Sequence, residues 1–147
     1  MAMNRTPDQH LAVLSEADLV ARLTTWLAAD GYRVRTEVAN MGQSADVVAL
    51  RGRWATIIEA KLKDWRRAVE QCQAHEVIAD YVCIAIALVT VPDGLIDVAR
   101  TRGYGIIHYD GAASAFCWTV LPLRNRKIWG PQRECWSRSL REVALCQ

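Results

Sequence analysis

Two apolar, β-branched stretches between Gln43 and Leu62 each carry an acid where a hydrocarbon is expected. The first reads Gln43-Ser-Ala-Asp46-Val-Val-Ala-Leu50, and the second Ala55-Thr-Ile-Ile-Glu59-Ala-Lys61-Leu62. Arg51-Gly52-Arg53 lies between them and reads as a tight turn, so the pair predicts an antiparallel hairpin. Ionised side chains among apolar strands are costly unless they are paired or bound to a cation. Side chains alternate along a strand, so Glu59 and Lys61 share one face while Ala60 and Leu62 point the other way. Asp46, on the neighbouring strand, can reach the same end of the sheet. Two acids and a lysine in this setting demand both a sheet around them and a reason for their charges.

The other elements follow from period and punctuation. Ser15 with Asp18 forms a capping-box pattern, and Leu19, Val20, Leu23, Trp26 and Leu27 recur at helical spacing up to Gly31. Tyr32, Val34 and Thr36 alternate with charged residues as a first strand, followed by a turn from Ala39 to Ser44. Ala45 to Leu50 and Trp54 to Leu62 are the second and third strands. Asp64 can cap a second helix from Trp65, with Ala68, Val69, Cys72 and Ala79 on one stripe. Tyr81 to Val89 is a continuous apolar strand, of the kind buried on both faces. Pro92-Asp-Gly opens a third helix that Gly103 closes, Gly105 to Tyr109 is a fifth strand and Phe116 to Leu121 a sixth. Pro122 to Pro131 reads as a basic loop and Arg133 to Cys146 as a terminal helix, while Met1 to Leu14 has no clean period. This order predicts one α/β domain spanning residues 1–147, with a core over about 15–110 and a C-terminal extension over about 111–147.

With 52% hydrophobic and 23% charged residues, the chain is expected to fold rather than remain disordered. The apolar run from Tyr81 to Val91 is too short to span a bilayer and no N-terminal stretch reads as a secretory signal, so a cytoplasmic protein without a membrane partner is expected. Cys72, Cys83, Cys117, Cys135 and Cys146 are odd in number and contain no C-x-x-C pair, and they read as reduced thiols. Residues 118–147 hold six basic and two acidic side chains, against twelve and fourteen in residues 1–117. A basic C-terminal stretch suits phosphate backbones. Trp118, Trp129 and Trp136 within it either stack on bases or fill the core or a dimer seam.

Two carboxylates and a main-chain carbonyl form the hard-oxygen set that Mg²⁺ or Mn²⁺ prefers. Such an ion polarises a phosphate oxygen and lowers the pKa of a bound water, and Lys61 beside it can orient that water or neutralise charge on phosphorus. The pattern resembles the PD-(D/E)xK nuclease superfamily, and looks closest to its small Holliday-junction-resolvase-like members, over roughly residues 16–110. The residues that carry the resemblance are Gly31-Tyr32, Asp46-Val-Val-Ala-Leu-Arg-Gly52, Ile57-Ile-Glu59-Ala-Lys61 and a following helix bearing Gln71. The resemblance implies a restriction-endonuclease-like αβββαβ core, with a central mixed sheet flanked by helices. It implies Asp46 and Glu59 as metal-binding acids, the Ala60 carbonyl as a third ligand, Lys61 as the catalytic lysine and Gln71 as a glutamine near the site. An acid on the first helix often assists in this family. Glu16 is the candidate here, with Asp18 and Glu37 as rivals. The proline of the family's motif is Ala45 in this chain, and the aromatic often seen four residues after the glutamine is His75. His75 and His108 have no partner at ligand spacing and read as structural.

The expected function is hydrolysis of DNA phosphodiester bonds, branched or damaged DNA included, with Mg²⁺ or Mn²⁺ and no organic cofactor. Arg51, Arg53, Lys63, Arg66 and Arg67 around the motif, and Arg124, Arg126 and Lys127 in the tail, are the candidate phosphate contacts, or else a solvated face. A homodimer is expected, because cutting two strands takes two sites. The alternative is a non-catalytic module on the same fold that binds nucleic acid or a protein partner. No glycine-rich phosphate loop, paired histidines or nucleophile elbow competes elsewhere in the chain.

Overall fold

The hairpin around Gly52 is the second half of a three-strand meander. In the computed structural model, which describes residues 15–145, β1 (Arg33–Asn40), β2 (Gln43–Arg51) and β3 (Trp54–Lys61) follow one another antiparallel. Only Met41 and Gly42 join β1 to β2, with φ of +48° and +79°. Left-handed φ at both central positions gives a turn whose twist matches its flanking strands. The ladder therefore runs out to Asn40 opposite Gln43, well into the six residues that the sequence predicted as a turn.

Beyond β3 the pairing becomes parallel. Helix α2 (Trp65–His75) leads to β4 (Tyr81–Ile86), helix α3 (Asp93–Arg102) leads to β5 (Gly105–Asp110), and β6 (Ala115–Val120) returns antiparallel to β5. All six strands lie in sequence order in one mixed sheet. β4 is shorter than its apolar run predicts. Its pairing with β3 ends at Lys61 opposite Ile86 and its pairing with β5 at Ile86 opposite His108, so no ladder remains for Ala87 to Val89. α2 also stops early, at His75 rather than Ala79. The Ile78 and Ala79 amides both donate to the His75 carbonyl, and the Asn125 side chain donates to the Glu76 and Ala79 carbonyls, which turns the chain.

Helix α1 (Glu16–Ala29) starts with the expected capping box, in which Asp18 N–H donates to Ser15 Oγ and Ser15 N–H to the Asp18 carboxylate, both at 3.1 Å. Its Leu19, Leu23 and Leu27 pack on one face of the sheet with Val47, Ala49, Ile58 and Ile107. The opposite face collects Ala45, Ile57 and Ile84 from the strands, with Val69 of α2, Leu95 of α3 and Trp136 of α4 (Gly130–Leu145). Ile57 and Ile58 thus enter different layers, as alternation requires of a strand covered on both sides.

The stretch expected as a basic extension is built into this sandwich. β6 completes the sheet, Trp136 is 3% exposed within the core, and Trp118 packs 6.1 Å from Trp26, while Trp129 remains exposed. Loop 121–129 is tied down where Asn125 N–H donates to the Asp80 carbonyl and Trp129 N–H to the Val77 carbonyl. Just beyond it Arg133 pairs with Asp80 at 3.0 Å. Two of the three tail tryptophans therefore serve the core. α4 begins at Gly130, three residues before its predicted start. Cys72, Cys83, Cys117 and Cys135 are free thiols; Cys146 and the Met1–Leu14 segment lie outside the described residues. Among the described residues no helix is long and apolar enough to cross a membrane.

Gly105 opens β5 directly beneath the start of that loop. A Cβ there would stand 2.8 Å from Cys83 Sγ and 2.9 Å from Pro122 Cδ. Gly105→Ala is expected to cost about 1–3 kcal/mol by overpacking. Gly111→Ala, with nothing within 4 Å of its added carbon, is expected to cost far less. Urea unfolding of the two variants measures the difference.

Candidate active site

The ladder between β2 and β3 ends with Val47 opposite Ile58. One step further on, Asp46 and Glu59 face each other without main-chain pairing. The Ala60 N–H donates to Asp46 Oδ2 at 2.9 Å, so a side-chain carboxylate stands in for the missing backbone partner. The same lapse occurs on the other side of β2. Glu37, which the register of β1 sets opposite Asp46, has φ of +52° and is skipped by the ladder. Asp46 therefore sits where pairing fails on both flanks of its strand.

Glu59 is fully buried, and its Oε1 lies 2.6 Å from His75 Nε2. The tautomer is set from the far side of the ring. Asn40 Nδ2 lies 2.9 Å from His75 Nδ1 and 3.3 Å from the Ala74 carbonyl. An amide nitrogen that donates to that carbonyl also donates to the ring, leaving Nδ1 as acceptor and Nε2 as the protonated nitrogen. Burial pushes the His75 imidazole down to about 4, which keeps it neutral and donating to Glu59. His75 is thus no isolated structural histidine. The fold brings it to Glu59 where α2 packs on the sheet, at a sequence distance that ligand spacing does not reveal. The available signal was its i, i+4 relation to Gln71, which puts both on neighbouring turns of one helix face. His108 does have a structural partner, the Leu88 carbonyl at 2.7 Å from Nε2.

Two neighbouring carboxylates resist ionising together. Burial, then the contact with Glu59, pushes the Asp46 carboxyl up to about 6, and burial lifts Glu59 above the usual carboxylate range. Glu59 Oε2 and Gln71 Oε1 are both buried without a hydrogen-bond partner. Buried oxygens left without donors are costly. Asp46 and Gln71 line one cleft of about 480 Å³, together with Gln43, Ser44, Arg67 and Glu70. Among the described residues no three His, Cys, Asp or Glu side chains are grouped to hold a metal ion. The oxygens available are those of Asp46, Glu59 and Gln71. The unpartnered ones suit a hard cation, which takes carboxylate, amide and water oxygens alike.

Lys61 Nζ lies 3.6 Å from Glu16 Oε1. Of the three rival acids, Glu16 is the one brought to the motif, and it meets the lysine. Asp18 is spent on the capping box, whose hydrogen bonds hold its carboxyl below the ordinary range. Glu37 lies in a separate groove shared with Leu140.

The candidate phosphate contacts divide between two places. Lys63, Arg66 and Arg67 lie at and just before the start of α2, where Arg67 lines the carboxylate cleft and pairs with Glu70 at 3.4 Å. Arg51 and Arg53 flank the motif in sequence, but the hairpin carries them to the other end of β3. At 3.3–3.4 Å per residue, Trp54 is about 17 Å from Glu59 along the strand. Arg124 stacks on Trp54, and Arg126 and Lys127 share a cleft with Arg124. These five cations do not border the acids.

No protein-family model matches the sequence, and neither does any curated protein. Solved structures are similar to it. SPO1766, a protein of unknown function from Silicibacter pomeroyi, is 18% identical with a TM-score of 0.65, over 90% of this chain and 88% of its own. An fdxN element excision controlling factor protein from Anabaena variabilis is 17% identical with a TM-score of 0.50, over 67% of this chain and 95% of its own. These likenesses show the fold alone, an α/β arrangement of the restriction-endonuclease-like kind.

The raised Asp46 gives a stability test. A carboxyl whose folded pKa exceeds its unfolded value, here about 6 against 3.8, contributes stability below the unfolded value and loses it as pH rises through the folded one. The lowered His75 acts oppositely: its contribution is present above 6.5 and is lost as pH falls through about 4. Asp46→Asn removes the first effect, and its amide oxygen can still accept the Ala60 N–H. In metal-free buffer the variant is expected to melt several degrees above the parent near neutral pH. That advantage should shrink toward pH 4, as thermal melts across this range will read.

Proposed function

We propose that this chain is a divalent-metal-dependent nuclease that hydrolyses DNA phosphodiester bonds, branched or damaged DNA included. The observation that carries the reading is the meeting of Asp46 and Glu59 where β2 and β3 cease to pair, with Glu59 Oε2 and the nearby Gln71 Oε1 buried without donors. A buried acid pair opposes folding. A hard cation relieves it by taking the place of the protons the pair would otherwise retain. Asp46, Glu59 and the Ala60 carbonyl would hold Mg²⁺ or Mn²⁺, which when bound polarises a phosphate oxygen and supplies a water of lowered pKa.

The chain's own residues fit the remaining tasks. Asp46 has one oxygen engaged by the Ala60 N–H and keeps Oδ1 for the site. His75 holds Glu59 by Oε1 and leaves Oε2 uncommitted. Lys61, two residues along the strand from Glu59, is restrained by Glu16 and suits neutralising charge on phosphorus or orienting the attacking water. Gln71 reaches the same cleft from α2. Lys63, Arg66 and Arg67 supply cations near the start of that helix for the phosphate backbone. Action as a homodimer in the cytoplasm belongs to the same proposal, since a double-strand cut takes two such sites.

Incubation with duplex, single-stranded and four-way-junction DNA tests it. Cutting is expected with Mg²⁺ or Mn²⁺ and not with EDTA. Asp46→Ala and Lys61→Ala are each expected to reduce it at least about 100-fold. Mg²⁺ is expected to raise the Tm of the parent and not of Asp46→Ala. Undiminished cutting by both variants would overturn the assignment. Salt-sensitive binding with no cutting in any metal would favour the alternative, a non-catalytic binding module on the same fold.

A further inference from the structure

A second concentration of chemistry lies at the opposite end of the sheet, where β1 and β3 begin. Loop 121–129 borders two clefts there. The first, about 380 Å³, is lined by the rings of Tyr32, Trp54, Tyr81 and Trp118, with Arg51 beside them. The second, about 490 Å³, gathers Arg100, Arg102, Arg124, Arg126 and Lys127 around Glu76. Arg124 connects the two. It lines the basic cleft, and its guanidinium lies 4.6 Å from the centroid of Trp54 in the aromatic one.

The charges of the basic cleft are not balanced from within. Glu76 pairs with Arg102 at 3.4 Å and Lys127 at 3.3 Å, and also accepts from Tyr104. Arg100 and Arg126 are exposed and have no acidic partner among the described residues. A concave surface with excess cations draws in anions, and phosphate is the anion that arginine recognises best. The aromatic cleft has a different preference. Arg51, which pairs with Asp30 at 3.2 Å, lies 3.8 Å from the Tyr32 centroid in its wall, and Arg53, outside the lining, lies 4.4 Å from the centroid of Trp54, so the wall offers rings and a guanidinium plane together. Both kinds of surface take planar heterocycles by stacking.

An unpaired nucleotide offers these two properties side by side: a flat ring and the phosphates next to it. A duplex offers only the phosphates, because its bases are stacked inside. We infer that this end of the sheet binds single-stranded DNA, with a base in the ring-lined cleft and the adjoining phosphates along Arg100, Arg124 and Arg126. The site stands about 17 Å along β3 from Glu59 and requires neither Asp46 nor a metal. It draws on the proposed nuclease activity only for the choice of DNA as ligand.

Fluorescence anisotropy with a labelled oligo-dT in EDTA tests this site apart from any cutting. The parent and Asp46→Ala are expected to bind alike, more weakly as salt rises. The double variant Arg100→Gln/Arg126→Gln changes only exposed side chains. It is expected to bind at least about tenfold more weakly, and to flatten the log–log salt dependence by about 1.4 for two lost phosphate contacts. Trp54→Leu is expected to weaken binding with the salt slope unchanged. Should it fail to fold by circular dichroism, the double variant decides. Free dTMP is expected to compete better than inorganic phosphate. The inference falls if duplex binds as tightly as single strand, if the double variant binds like the parent, or if phosphate competes as well as dTMP. Loss of metal-dependent cutting with oligonucleotide binding intact counts against the carboxylate site alone, and the reverse result against this one alone.

Discussion

A carboxylate sealed from water has to be held by a donor that is itself held. Here that donor is the neutral imidazole of His75, kept in one tautomer by Asn40. The three residues come from three elements. Asn40 is the last residue of β1 before its two-residue turn, His75 is the last of α2, and Glu59 lies near the end of β3. The positions of that turn, that helix end and that strand end are therefore coupled through two hydrogen bonds. Moving any one strands a polar group in a place with no water to replace the lost partner, a loss of about 1–3 kcal/mol. The tight Met41-Gly42 turn and the early stop of α2 both make sense as parts of this arrangement.

Local signals in the sequence translated directly. Ser15 and Asp18 form the cap they spell, and Gly103 ends α3 with φ of +75°. The divergence of Ile57 and Ile58 into two layers was implicit in their apolar neighbours. Pairwise geometry did not translate. Nothing local says that the β2–β3 ladder stops one residue short of Asp46, or that His75 reaches Glu59. Burial of Glu59 turned a presumed open ligand into one with a single oxygen uncommitted. The separation of Arg51 and Arg53 from the acids was deducible, because a hairpin turn lies at the far end of its strands from their outer termini. Adjacency in sequence obscured it. The tail tryptophans stayed open between core and surface for a different reason: a Trp in a basic stretch carries no mark that distinguishes a core anchor such as Trp136 from an exposed one such as Trp129.

The sheet thereby keeps two sorts of chemistry apart. One end presents carboxylates whose protons are hard to lose, and the other presents arginines stacked on rings. Little of this helps the fold. Unsatisfied oxygens at Glu59 and Gln71, and excess cations around Glu76, are local departures from the most stable arrangement. Departures of this sort concentrate where a protein does something other than fold.

Glu37, whose side chain lies outside the carboxylate cleft, has a second consequence through its backbone. β1 is an outer strand of the sheet, and an outer strand exposes a row of unpaired amides and carbonyls to any other chain. The left-handed residue interrupts that row in its middle, leaving Arg33–Thr36 on one side and Val38–Asn40 on the other. Short edge runs and charged side chains are two ways in which natural sheets discourage such pairing, and Arg33 and Arg35 supply the charge on the first run. The left-handed residue that leaves Asp46 without a main-chain partner thus also breaks the regular edge that an added strand from another chain would need.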